Sequence, residues 1–195
     1  MATKTCLVAI AGGSASGKTT LAKAISEELA GRGARVEVTG MDRYFYRGAP
    51  GPTFISPTTG EEMPNNNHPD SADNARLLQD IDALVASEAA PDVVIVEGLM
   101  ALHIRALRER TDLRLFVELE EDVRALRRLL RDMGGGRGNR DPHFIAAYYR
   151  ECAKPGHAQY VEPSRIYADF ILRGDADFAR VAQMLGRMIL ARAPE

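Results

Sequence analysis

Between positions 12 and 20 the chain reads Gly-Gly-Ser-Ala-Ser-Gly-Lys-Thr-Thr, which contains a complete G-x-x-x-x-G-K-[ST] pattern. The glycines let the backbone curl so that successive N–H groups point inward, and the positive end of a following helix adds to their pull on an anion. Such a cradle suits the phosphates of a nucleoside triphosphate, ATP or GTP. Gly13, Ser14, Ala15, Ser16, Gly17, Lys18, Thr19 and Thr20 are its candidate contacts. In that geometry Lys18 reaches the β- and γ-phosphates and the Thr19 hydroxyl ligates Mg²⁺. Two further carboxylates sit where they could act on the same phosphates. Asp42 follows an extended run ending Thr39-Gly40-Met41, and from there it could accept a proton from an attacking hydroxyl. Glu97 closes the run Val93-Val94-Ile95-Val96 and should face the metal, through a water.

A third group is cationic. Arg124, Arg127, Arg128 and Arg131 follow i, i+3, i+4, i+7 spacing and share one helical face, and Arg137 and Arg140 follow in a glycine-rich turn over 133–142. Guanidinium groups bind phosphate in bidentate fashion and neutralise charge that develops during transfer, so the segment reads as a phosphate-clamping lid over about 122–153. The opposite stripe, Val123, Leu126, Leu129, Leu130 and Met133, is expected to pack on the core.

These residues need a frame. Five short β-type runs, 5–10, 35–39, 92–97, 113–119 and 167–172, are mostly continuous in apolar residues, as parallel strands buried on both faces are. Helical patterns over 18–30, 72–87, 102–110, 122–133, 144–151 and 178–191 alternate with them, which gives an α/β fold with a five-stranded parallel sheet between helical layers. Gly31-Arg32-Gly33 should stop the first helix. With 195 residues and 45% hydrophobic content, one domain spanning 1–195 is expected. The segment 48–70 breaks the alternation: five prolines and the run Asn65-Asn66-Asn67 argue against helix or strand, so it is expected to be a substrate-covering loop.

Composition narrows the function classes. A net charge of −2 gives no electrostatic case for nucleic acid or a membrane surface as partner. The first apolar stretch is too short for a signal or a membrane span, so the expected location is cytoplasmic. Cys6 and Cys152 have no metal-type spacing and are expected to be reduced. Of the histidines, His68 in the Asn/Pro loop is the candidate acceptor contact. Self-association into a homo-oligomer is left open by the sequence.

In order along the chain, the segments Val8 to Leu21, Asp42-Arg-Tyr-Phe-Tyr46, His68-Pro69-Asp70, Val94 to Leu99, Asp122 to Asp132, Tyr160 to Ser164 and Tyr167 to Ile171 resemble the uridine kinase and phosphoribulokinase group of P-loop kinases. The resemblance implies a three-layer α/β/α P-loop NTPase fold with a small helical lid, ATP with Mg²⁺, and phosphorylation of a hydroxyl on a small molecule. By position it makes Asp42 the catalytic carboxylate and Glu97 the metal-site acid. It makes Arg131 and Arg137 the donor-phosphate arginines and turns Arg128 and Arg140 toward the acceptor. The departures lie on the acceptor side. Asn67, after Asn66, stands where the family carries a ribose-binding aspartate, Asp42-Arg43-Tyr44-Phe45 replaces Asp-Ser-Phe-Tyr, and Tyr148 replaces a base-reading glutamine. Between Asp70 and Pro91 there is no room for the family's pyrimidine-reading hairpin. Tyr44, Asn67, His68, Arg128, Arg140 and Tyr148 are therefore the candidate contacts of an acceptor unlike uridine. Two alternatives stand beside this reading. A nucleoside monophosphate kinase would use Arg43 and Arg47 on the acceptor's phosphate. A nucleotide-dependent regulator lacks its expected Asn-Lys-x-Asp signature, and Glu97-Gly98 replaces Asp-x-x-Gly.

Overall fold

The computed structural model describes residues 5–136 and 139–192. Five strands, β1 (Cys6–Gly12), β2 (Val36–Gly40), β5 (Val93–Glu97), β6 (Leu113–Glu118) and β7 (Phe170–Arg173), form one parallel sheet in the order β2-β5-β1-β6-β7. β1 lies between β5 and β6, with Val8 opposite Ile95 on one side and Leu113 on the other. Because successive side chains on a strand point to opposite faces, the apolar runs feed two cores. Val8, Ile10, Ile95, Leu115 and Val117 meet α1 (Lys18–Gly31) and α7 (Phe178–Arg192) through Leu21, Ile25, Leu29, Leu185 and Ile189. Leu7, Ala9, Val94, Val96 and Phe116 meet Leu77 and Ile81 of α2 (Asn74–Val85) and Leu107 of α3 (Arg105–Arg108). This is the expected layering of helix, sheet and helix. α1 ends where expected: Gly33 takes φ +87° and its N–H returns to Ala30 O at 3.0 Å.

Three expectations need correction. Regular helix in 102–110 is confined to the single turn α3, since turns occupy the chain from 99 to 103 and again at 109–110. The 48–70 segment is not wholly irregular. β3 (Thr53–Ile55) and β4 (Glu62–Pro64) pair antiparallel, with Thr53 opposite Pro64, so the proline sits at the strand end of an edge, where a missing N–H costs least. Between residues 70 and 91 there is only α2 and a short link, as expected.

The third correction concerns the lid. α4 (Glu121–Arg131) forms, but with its apolar face outward: Leu126 and Leu130 are 61% and 70% exposed, whereas Arg124 is 5% exposed. α4 follows β6 and lays Arg124 over the glycine-rich loop, where a Cβ on Gly13 would stand 2.4 Å from its Nη1, so the surroundings that this face turns toward are polar. Arg124 Nε donates to Leu119 O at 3.0 Å and Arg127 Nη1 to Gly174 O at 3.0 Å. After the 133–142 turn, α5 (Pro142–Tyr148) is capped by Asp141, whose carboxylate accepts from the His143 and Phe144 N–H groups at 3.2 and 3.1 Å. Helical backbone continues to Tyr167, well past the expected end at 151. Wide turns flank α6 (Lys154–Gly156), which carries Pro155 and so cannot donate a full set of i→i−4 bonds. Cys6 and Cys152 are both buried and are not joined in a disulfide. Among the described residues no helix is long and apolar enough to cross a membrane.

Candidate active site

The loop between β1 and α1 takes its shape from unusual backbone angles. Gly17 has φ +109° and Ala15, without glycine's freedom, has φ +62°. Strained non-glycine backbone of this kind marks a segment held for function by its surroundings. Lys18 folds back over the loop and donates from Nζ to Gly13 O at 2.8 Å. Its amine is almost wholly enclosed, and burial lowers its pKa from 10.5 to about 8. The carboxylates of Glu97 and Asp42 pull upward against that burial, while Arg131 and Arg124 push further down. The Ser16 hydroxyl is buried without a partner among the described residues. An enclosed ammonium and an orphaned buried hydroxyl are what an anion-binding loop holds ready for phosphate oxygens.

The two carboxylates arrive from neighbouring strands at the same sheet edge. β2 ends at Gly40 and a narrow turn, Met41–Tyr44, carries Asp42. β5 ends at Glu97, whose Oε1 accepts from Thr19 Oγ1 at 3.0 Å. That hydroxyl–carboxylate pair fits the protein side of a Mg²⁺ site. Among the described residues no cluster of three or more His, Cys, Asp or Glu could hold a metal alone, so phosphate oxygens and water would supply the remaining ligands.

One cavity of about 500 Å³ joins these parts. On the donor side it is lined by Ser14, Ala15, Gly17, Lys18, Thr19 and Thr20, at its centre by Asp42 and Glu97, and from the lid by Arg127, Arg128 and Arg131. Gly13 and Ser16 lie within the loop but do not line it. On the far side stand Asn67 and Tyr148, with Phe45, Met63, Pro64, Asn66 and Phe144. The cavity's size is that of an ordinary small-ligand site.

Three candidates are not brought to this cavity. Tyr44 donates its hydroxyl to Asp80 Oδ2 at 2.9 Å, and its neighbour Phe45 takes the place at the wall. His68 Nδ1 accepts from Asp70 N at 3.1 Å, and its ring meets Tyr160 edge-on at 5.1 Å. Arg140 lies against the turn, close enough that a Cβ on Gly135 would meet its guanidinium at 2.7 Å. Arg137 lies outside the described residues. Asn67 lines the cavity, yet its Nδ2 is already committed to Cys152 Sγ at 3.3 Å.

Sequence reasoning passed over Asp132. It is 4% exposed and pairs with Arg131 at 2.8 Å and Arg128 at 3.4 Å, which fixes the direction of two cavity-lining guanidiniums. Its signal was present, since Arg128 and Asp132 stand at i, i+4. Arg128 also lies 5.3 Å from the Tyr148 ring centre, and burial pushes the Tyr148 phenol upward, so it stays protonated.

The profile of the Phosphoribulokinase / Uridine kinase family matches residues 62–177. A uridine kinase of Deinococcus deserti is 35% identical over 187 residues, covering 85% of this chain and 86% of its own. Among solved structures, a candidate fructose transport system kinase from Silicibacter sp. TM1040 superposes with a TM-score of 0.67 at 22% identity, covering 86% of this chain and 89% of its own. A candidate uridine kinase from Bacillus stearothermophilus does so with a TM-score of 0.59 at 16% identity, covering 88% and 90%. At those identities the structures speak for the fold, and the sequence relatives speak for the family. With the phosphate loop, the two strand-end carboxylates and the arginine lid around one cavity, the chain is a kinase of P-loop fold and belongs to the phosphoribulokinase and uridine kinase family.

Proposed function

We propose that the enzyme transfers the γ-phosphate of ATP, with Mg²⁺, to a hydroxyl of a small uncharged metabolite, and that the acceptor is not bound as uridine is by the relatives named for it. The observation that carries this reading is the single cavity in which Lys18, Asp42 and Glu97 face Asn66, Asn67, Phe45 and Tyr148. Asp42 would take the proton of the acceptor hydroxyl as its oxygen forms the new bond to phosphorus and the bond from phosphorus to the bridging oxygen of ADP breaks. Lys18 and Arg131 would neutralise charge on the transferred group and on the departing oxygen, with Arg128 set toward the acceptor. Thr19 and Glu97 would hold the metal, which supplies charge neutralisation between the phosphates when bound.

An acceptor without its own phosphate is favoured because, apart from Arg128 on the lid, the cavity's far wall is aromatic, thioether and amide. Arg43 and Arg47, which a nucleoside monophosphate would need, are exposed and outside that wall. We place the reaction in the cytoplasm. The test is ADP release with Mg·ATP across a panel of uridine, cytidine, adenosine, ribose, fructose and UMP. Turnover with a neutral member other than uridine is expected to exceed that with uridine and UMP. If no member raises ADP release above background while ATP is shown to bind, the proposal fails.

A further inference from the structure

Tyr148, Glu151 and Cys152 stand at i, i+3, i+4 and so share one face of the helix that runs on from α5. Apart from a Tyr148–Cys152 contact within this face and a bond from the adjacent Arg150, the hydrogen bonds of these side chains among the described residues go to a single stretch of chain, 56–67. The Tyr148 hydroxyl donates to Pro64 O at 3.0 Å and accepts from Asn66 N at 3.3 Å. Glu151 accepts from Ser56 Oγ at 2.7 Å and, through its other oxygen, from Thr58 Oγ1. Cys152 Sγ receives Asn67 Nδ2 at 3.3 Å and donates to Asn65 Oδ1 at 3.2 Å. Phe54 adds an edge-on ring contact to Tyr148 at 5.8 Å. The Glu151 and Ser56 side chains are covered, at 7% and 2% exposed, while Thr58 and Pro64 lie at the exposed rim of the contact. The bonds from Thr58 and Ser56 hold the Glu151 carboxyl below the usual carboxylate range, so it is an anion at neutral pH.

A two-stranded hairpin of three-residue strands has little stability of its own in water. Yet this hairpin and the asparagine run supply Met63, Pro64, Asn66 and Asn67 to the cavity wall opposite the phosphate loop. The helix that holds them is itself tied to the start of α4, through Tyr149 Oη to Glu121 O at 3.0 Å and Lys154 Nζ to Glu121 at 2.6 Å.

We propose that Glu151 is a positioning residue for the acceptor: with Tyr148 and Cys152 it hangs the 53–67 wall on the lid helix, and the acceptor pocket is assembled only while that attachment holds. The inference rests on reading this cavity as a phosphotransferase site, but its first test does not. In the protein without ligand, Glu151→Ala should speed amide hydrogen exchange over 53–64 by tenfold or more, with exchange over 6–12 and 18–31 unchanged. Ser56→Ala combined with Thr58→Val attacks the same contact from the hairpin side and should do likewise, which keeps the test decisive if Glu151→Ala folds poorly. Glu151→Gln retains one acceptor oxygen and gains a donor, and should return exchange to within about threefold of the parent. With the member of the acceptor panel that gives the highest turnover, Glu151→Ala should raise the acceptor KM about tenfold or more, leave the KM for ATP within about twofold, and be rescued by Gln. Unaltered exchange at 53–64, or equal rises in both KM values, overturns the inference. Absence of turnover with every panel member overturns the proposed function instead, and the exchange result still decides the role of Glu151.

Discussion

Lys18 carries a titration that phosphate binding must reverse. Its amine is buried before any nucleotide arrives, and its pKa stands at about 8 against 10.5 in the open chain. That gap corresponds to roughly 3 kcal/mol set against the charged form. Triphosphate oxygens beside the amine favour the charged form again, so binding takes up a proton at any pH between the two values. At pH 8.5 about three-quarters of the unliganded lysine is neutral, and calorimetry of a non-hydrolysable ATP analogue in buffers of different ionisation enthalpy should show uptake of about 0.7 proton, falling to about 0.1 at pH 7. Affinity should be nearly flat up to pH 7.5 and about 25-fold weaker at pH 9.5. Stability without nucleotide runs the other way. Between about pH 8 and 10.5 the unfolded chain binds more protons at this residue than the folded one, so its contribution to the unfolding free energy rises with pH through that window. Opposite slopes for affinity and stability over one interval are hard to obtain from a surface group. Affinity that does not change between pH 7.5 and 9.5, with no proton uptake at pH 8.5, would refute the reasoning.

Asp42→Asn should leave binding of the ATP analogue within a few-fold and suppress acceptor-dependent turnover by about 10² to 10⁴; loss of nucleotide binding in a titration of that variant would mean that the carboxylate has another role. Gly13→Ala would set a Cβ 2.4 Å from Arg124 Nη1, whose Nε is held by Leu119 O, and urea unfolding should show a loss of about 2–4 kcal/mol. An unchanged midpoint would show that Arg124 swings aside freely. Leu130→Lys, on the outward face of α4, should change the unfolding free energy by less than about 0.5 kcal/mol, and a loss of several would mean that this face is covered.

The donor half of the site was legible because it is nearly contiguous. A phosphate loop is a local backbone device whose glycines and lysine must stand in order, and Asp42 and Glu97 are fixed by the ends of apolar runs that parallel strands require. Strand ends shifted by up to three residues, most at β7, where Tyr167 closes a helical turn beneath Arg108 at 3.8 Å instead of starting the strand. The β3–β4 hairpin left no periodic signal, since its strands are three residues long, contain a proline and draw their support from a helix roughly ninety positions away. The orientation of α4 shows a different limit. Its pattern separates an arginine face from a leucine face, but a sequence does not say which face the protein turns inward. The usual rule fails here because the inward face sets its guanidinium groups over the glycine-rich loop and along the cavity instead of over an apolar core.

On the acceptor side Asn67, Arg128 and Tyr148 line the cavity and Tyr44, His68 and Arg140 do not, and for Tyr44 and His68 the physical reason is the same. Tyr44, a candidate through its place in the family pattern, and His68, a candidate through its place in the Asn/Pro loop, spend their hydrogen-bonding groups within the fold, Tyr44 on Asp80 and His68 on the N–H of Asp70. In tight turns adjacent side chains diverge, so the residues that reach the cavity are their neighbours Phe45 and Asn67. Even Asn67 has its amide nitrogen engaged by Cys152, and Tyr148 has its hydroxyl between Pro64 and Asn66. Polar groups satisfied by one another in this way hold a wall in place and gain nothing by turning to a ligand. Beside Arg128, what remains for contact is the ring of Phe45, the thioether of Met63, the ring of Phe144 and the side chain of Asn66, which makes no hydrogen bond among the described residues. Such a wall selects by shape and by one amide, and it follows that exchanging Asn66 should alter which panel member is phosphorylated far more than exchanging Tyr44 or His68.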